Sequence, residues 1–187
     1  MNLSSVKQEI LEALLLHDQP LKAAQVAKEI GKDQRAVMMH LLGLIRLGYV
    51  ISPEKGVYIV TAKGKAALGL PEITREKALA ILTPTPQDKA FHFYVGIGKP
   101  LNLFAHDLLE FCEKMSSVNV ESVEFHSQRG DFENWFAALG DVELALKASL
   151  LKKKAAGDVL REKLRIMVEN RCVALSKMVG EKAFNTA

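Results

Sequence analysis

Within the first fifty positions, apolar residues recur three times at helical spacing. Val6, Ile10, Ala13 and Leu14 follow Ser5, then Ala23, Val26, Ala27 and Ile30 run up to Gly31, and Val37, Leu41 and Leu44 follow Asp33. Recurrence at every third or fourth residue gathers each set on one face of a helix. The boundaries carry their own signals. Ser5-Val6-Lys7-Gln8 has the spacing of a capping box, Asp18-Gln19-Pro20 interrupts the first helix, Gly31 suits a left-handed ending, and Asp33 supplies an N-cap for the third. The period then changes. Tyr49-Val50-Ile51 and Val57-Tyr58-Ile59-Val60 flank Ser52-Pro53-Glu54-Lys55-Gly56, which predicts a hairpin. Thr61 then caps a short helix through Leu68, closed by Gly69.

Residues 71–88 predict a further helical turn or two around Ala78, Leu79 and Leu82. The extended stretch Thr83-Pro84-Thr85-Pro86-Gln87-Asp88 follows, and there we expect a domain boundary. Beyond it, Phe91, Phe93 and Val95 alternate with His92 and Tyr94 as in a strand, ended by Gly96, Gly98 and Pro100. Four helices are expected next. Asn102 caps one with an apolar face of Phe104, Leu108, Phe111 and Met115, and Val123 and Phe125 suggest a short extended piece after it. Asp131 caps a second helix through Phe132, Trp135, Phe136 and Leu139, and Asp141 starts a third through Leu150. Asp158 starts a long fourth through Val179, and Ala183 to Ala187 read as a frayed end. The expected fold is mainly α with small β. A three-helix and hairpin domain occupies residues 1–70, a connecting helix and Pro-rich linker residues 71–88, and a helical domain with a short strand pair residues 89–187.

Composition narrows the functional classes. No apolar run in the 187 residues approaches the roughly 18 that span a bilayer, so no membrane partner is expected. Met1-Asn2-Leu3-Ser4-Ser5 lacks the features of a secretory signal, and a cytoplasmic location is expected. Cys112 and Cys172 both lie in helical patterns, which predicts small buried hydrophobes rather than a disulfide or a zinc site. The formal charge of +3 sits in the first part: residues 1–70 hold nine Lys/Arg against six Asp/Glu, and residues 71–187 hold sixteen of each. A surface that contacts phosphate must present such an excess.

The segment from Gly31 to Val50 resembles the recognition helix and following turn of winged helix-turn-helix transcription regulators. Gly56-Val57-Tyr58-Ile59-Val60-Thr61-Ala62-Lys63-Gly64-Lys65-Ala66-Ala67-Leu68 is similar to the wing strand and next helix of those related to MarR and PadR. The resemblance covers residues 5–69. It implies that the third helix enters the major groove of double-stranded DNA, with Gln34, Arg35, Met38 and Met39 facing base edges. Lys32, His40, Arg46 and Lys55 would contact phosphate. We expect a homodimeric transcription regulator in which the helical domain dimerises, senses a ligand, or both, and which is not an enzyme and needs no cofactor. Met38, Met39 and Leu42, however, leave the third helix apolar almost all round, the pattern of a buried helix. That favours a second reading, a winged-helix protein-interaction module without DNA binding.

Phe125-His126-Ser127-Gln128-Arg129-Gly130-Asp131-Phe132-Glu133-Asn134-Trp135 resembles a helical domain of archaeal and bacterial proteins with no established activity. Gly130 suits a turn, Asp131 a cap, and Arg129 a pairing with Asp131 or Glu133. A sharper reading takes His126, Arg129 and His92 or His106 as a pocket for a small anionic effector. A metal- or ligand-dependent enzyme built on His106, Glu110 and His126 is the third reading. The spacing His-x-x-x-Glu alone favours solvated helix-face residues instead of metal ligands. No nucleophile elbow, Cys-His pair or phosphate loop is present in the sequence.

Overall fold

The computed structural model describes residues 3–180, which are mainly helical with a small amount of antiparallel sheet. The tail expected to fray, Ala183 to Ala187, lies outside the described residues. The chain divides into two compact units at Glu72 and Ile73.

The first unit runs α1 (Ser5–Leu16), β1 (Leu21–Lys22), α2 (Ala23–Ile30), α3 (Gln34–Arg46), β2 (Val50–Ile51), β3 (Val57–Val60) and α4 (Ala62–Ala67). Its strands lie in the order β1-β3-β2, all antiparallel, with Leu21 opposite Tyr58 and Val50 opposite Val60. The core takes in most of the set read from the helical periods, Ile10, Ala13, Leu14, Ala23, Val26, Ala27, Val37, Leu41 and Leu44, joined by Leu11, Val50 and Tyr58, while Val6 and Ile30 are only partly buried against it. Two details differ from expectation. The chain before α2 forms a two-residue strand, too short for any alternation to announce it, because Leu21 and Lys22 pair with β3. The Ser5 capping box does not form. Helix α1 starts at Ser5 after Ser4, which makes no side-chain cap bond.

Two glycines shape this unit. Gly31, at φ 65°, ends α2 in the left-handed region that costs glycine least and turns the chain into α3. Gly64 is buried in α4, where a Cβ would run into the Tyr49 carbonyl oxygen, so only glycine lets α4 lie this close. Thr61 secures that junction, its Oγ donating to Gly48 O at 2.7 Å and accepting from Gly64 N at 3.0 Å.

The second unit comprises α5 (Arg75–Leu82), a 3-10 turn at Gln87–Lys89, the hairpin β4 (Phe91–Gly96) and β5 (Lys99–Ala105), then α6 (Leu108–Met115), α7 (Val120–Arg129), α8 (Asp131–Ala138), α9 (Val142–Leu151) and α10 (Gly157–Val179). The stretch expected to link the domains is bound into this unit. Arg75 donates from Nε and Nη2 to Val179 O at 3.1 and 3.0 Å. Thr85 donates from N and Oγ1 to His106 O, each at 2.8 Å.

Asn102 starts no helix. It lies in β5 at φ 51°, where the hairpin register shifts between the pairs His92–Phe104 and Tyr94–Pro100, and Asp107 instead caps α6 by accepting from Glu110 N at 2.8 Å. The extended piece expected at Val123 and Phe125 is helix α7. Its inward face, Ser122, Val123, His126 and Ser127, is mostly polar, so the hydrophobic period is hidden. Gly130 both ends α7 and precedes α8, which displaces Asp131 from the cap position to the first helical residue. Asp141 does cap α9, accepting from Leu144 N at 3.0 Å. Helix α10 begins one residue before Asp158, which pairs with Arg161 at 2.8 Å.

An aromatic cluster forms the core of this unit. Phe111 lies 5.6 Å from Phe91, 5.6 Å from Phe132, 5.5 Å from Trp135 and 5.3 Å from Phe136, in edge and stacked pairs. Trp135 keeps its indole N–H satisfied by donating to Lys89 O at 3.0 Å. Cys172 is buried and Cys112 half-buried, both as free thiols. The neighbouring Cys112 and burial push the Cys172 thiol up from its ordinary range, as suits an inert packing role.

Candidate functional site

Helix α3 is built to start sharply and to show one face. Asp33 accepts from Arg35 N at 2.9 Å and Ala36 N at 3.0 Å, satisfying amides that the first helical turn cannot use. Val37, Leu41 and Leu44 are fully buried on the inner side. On the opposite side Arg35, Met39, Leu42 and Arg46 succeed one another at intervals of four, three and four residues. They form a single ridge in which two apolar side chains lie between two cations. All four are exposed, Met39 by 69% and Leu42 by 42%.

The other expected contact residues fall into three groups. Gln34 is exposed in the first turn of α3, Lys32 in the turn before it, and Lys55 in the turn between β2 and β3. His40 is half-buried on the flank. Met38 does not belong to the exposed face. It is half-buried and packs against the core, where Tyr58 Oη donates to its Sδ at 3.3 Å. Position 38 stands three residues before Leu41 and seven before Ile45, so it lies at the edge of the inner face, where Tyr58 draws it in.

Two cations escaped the sequence reading. A Cβ on Gly43 would be 3.9 Å from Lys7 Nζ, so Lys7 of α1 reaches across to α3 at its glycine. Lys63 of α4 lies over the Tyr49 ring at 5.5 Å, beside Gly48 at the end of α3. Neither has a local signal that links it to α3. The charge around this face is also more segregated than the unit's total suggests. Residues 31–70 carry six Lys/Arg against two Asp/Glu, one of them the capping Asp33, whereas residues 1–30 carry three against four.

Of the residues expected to form an anion pocket in the second unit, His126 and Arg129 converge on Asp131 Oδ2, and His92 is held by Gln87. His126 is buried, and both ring nitrogens are used. Tyr94 N–H donates to Nε2 at 2.8 Å, so the proton sits on Nδ1 and is donated to Asp131 Oδ2 at 2.8 Å. Burial holds the ring below its ordinary pKa, and the Asp131 carboxylate only partly counters this. Arg129 is exposed, pairs with Asp131 at 3.1 Å and lies over the Phe125 ring at 5.2 Å. His92 alternates away from the buried Phe91 and Phe93, donates from Nε2 to Gln87 O at 3.0 Å and meets the Phe104 ring.

His106 and Glu110 pair through Nδ1 and Oε2 at 2.8 Å, with the Gln87 side chain 2.9 Å from Nε2. The His106 backbone N–H and ring hold the Glu110 carboxyl below its usual range. Among the described residues, no three His, Cys, Asp or Glu side chains gather as a metal-binding group. No described helix is long and apolar enough to cross a membrane.

No protein-family model, no curated protein and no solved structure matches this chain.

Proposed function

We propose that the protein is a DNA-binding transcription regulator whose first unit is a winged helix-turn-helix, with α3 as the helix that enters the major groove. The observation that carries this reading is the exposed ridge Arg35, Met39, Leu42 and Arg46, within a stretch holding six basic residues against two acidic. A helix backed by Val37, Leu41 and Leu44 is rigid enough to present base-reading side chains. The flanking Lys32, Lys55, Lys7 and Lys63 supply phosphate contacts. The element order α1-β1-α2-α3-β2-β3, with strands ordered β1-β3-β2, supports the same reading.

The protein acts in the cytoplasm as a homodimer through the second unit. In α10 Val159 and Ile166 are exposed apolar side chains seven residues apart, on one side of the helix, which supports pairing through it.

Titration of a random-sequence duplex pool with the full chain, read by fluorescence anisotropy, tests the proposal. Affinity is expected to fall steeply as salt rises from about 50 to 200 mM, and Arg35→Ala is expected to weaken binding about tenfold. Absence of any binding at low salt overturns it. A second reading, a protein-interaction module, draws on the apolar Met39 and Leu42. It expects no duplex binding and a dependence on those two residues for capture of a protein partner.

A further inference from the structure

We infer that Met39 and Leu42 read the 5-methyl groups of thymines on adjacent base pairs, so that this helix selects sites with thymine beside a base contacted by Arg35. The inference rests on the DNA-binding reading above and deepens it. The ridge runs cation, apolar, apolar, cation, and both apolar side chains are exposed at its centre.

A DNA groove offers few apolar groups. Phosphates and base edges are polar, and the thymine methyl is the hydrophobic feature of the major groove. Met39 and Leu42 are three residues apart, which at the helical rise of about 1.5 Å per residue separates them by roughly 4.5 Å along the axis. That is close to the spacing of about 3.4 Å between successive bases of one strand. Arg35 lies one turn before Met39 and Arg46 one turn after Leu42, so the charges that hold the duplex bracket the apolar pair. A thymine-bearing groove between phosphate strands matches both.

The test uses duplexes enriched from a random pool by the full chain and resynthesised with deoxyuridine for thymidine, which removes only the methyl groups. Affinity is expected to fall about fourfold for each contacted methyl, the effect of losing one buried methyl-sized group. The doubly substituted Met39→Gln, Leu42→Gln chain, with unchanged circular dichroism, is expected to bind both forms equally. Equal binding of the two forms by the unsubstituted chain, with the salt dependence intact, overturns the inference and leaves DNA binding standing. Failure to enrich or retain any duplex overturns both.

Discussion

In the first unit Gln34, Arg35 and Arg46 of α3 are exposed to solvent, whereas in the second His92, His106, His126, Arg129 and Arg171 are each held by a neighbour in the same unit. Arg171 shows the second pattern most fully. It grips the buried Asp141 carboxylate with two bonds, at 2.6 and 2.8 Å, while that carboxylate also caps α9. A cluster of His, Arg and Asp is chemically versatile in either setting. The difference lies in whether its donors and acceptors are already matched, because a group whose hydrogen bonds are satisfied internally must break them to bind anything else. By that criterion these five residues of the second unit build structure, whereas Arg35 and Arg46 on the α3 ridge are exposed to a partner.

Three substitutions test this contrast. The largest effect is expected from Phe111→Ala, which empties the centre of the aromatic cluster and costs about 4 kcal/mol, measured by chemical denaturation. A cost under about 1 kcal/mol would show that the cluster is not what organises the second unit.

His126→Gln is expected to cost about 2 kcal/mol through the lost buried bonds, and it carries a pH signature. The folded-state pKa of His126 lies below the unfolded value of 6.5, so below that pH the unfolded chain takes up the proton first. Stability is therefore complete above pH 6.5 and declines as the pH falls below it toward the folded pKa. Thermal melts at a series of pH values should show that decline in the native chain, and a shallower one in the variant. An unchanged slope would mean that His126 is not held neutral.

The smallest effect is expected at the exposed ridge. Arg35→Ala should alter unfolding free energy by no more than about 0.5 kcal/mol, since it removes a solvated side chain. A larger loss would mean that the ridge is structural, and the contrast between the units would collapse.

Much of the first unit is legible in its pattern. Val37, Leu41 and Leu44 read as a buried stripe and are one, and Asp33 and Thr61 read as caps and make the cap bonds. The second unit is less legible because its inward faces are not uniformly apolar. Ser122, His126 and Ser127 make α7 look unlike a helix, and Phe104 fits a helical period while lying in β5. Among the candidate contact residues, exposure follows the helical period at Arg35, Met39 and Arg46 and fails at Met38. There the decision belongs to Tyr58, twenty residues away, whose hydroxyl draws the thioether inward.

Local patterning by itself determined where most helices lie, which residues form the first core and how charge is divided along the chain, because those properties depend on neighbours within a turn or two. Only the tertiary structure decided that Lys7 reaches α3, that the Pro-rich stretch is tied down by His106, and that the two ring nitrogens of His126 meet Tyr94 and Asp131. These outcomes depend on which backbone amides and carboxylates distant segments bring within hydrogen-bonding reach, and nothing in a residue's immediate neighbours specifies that.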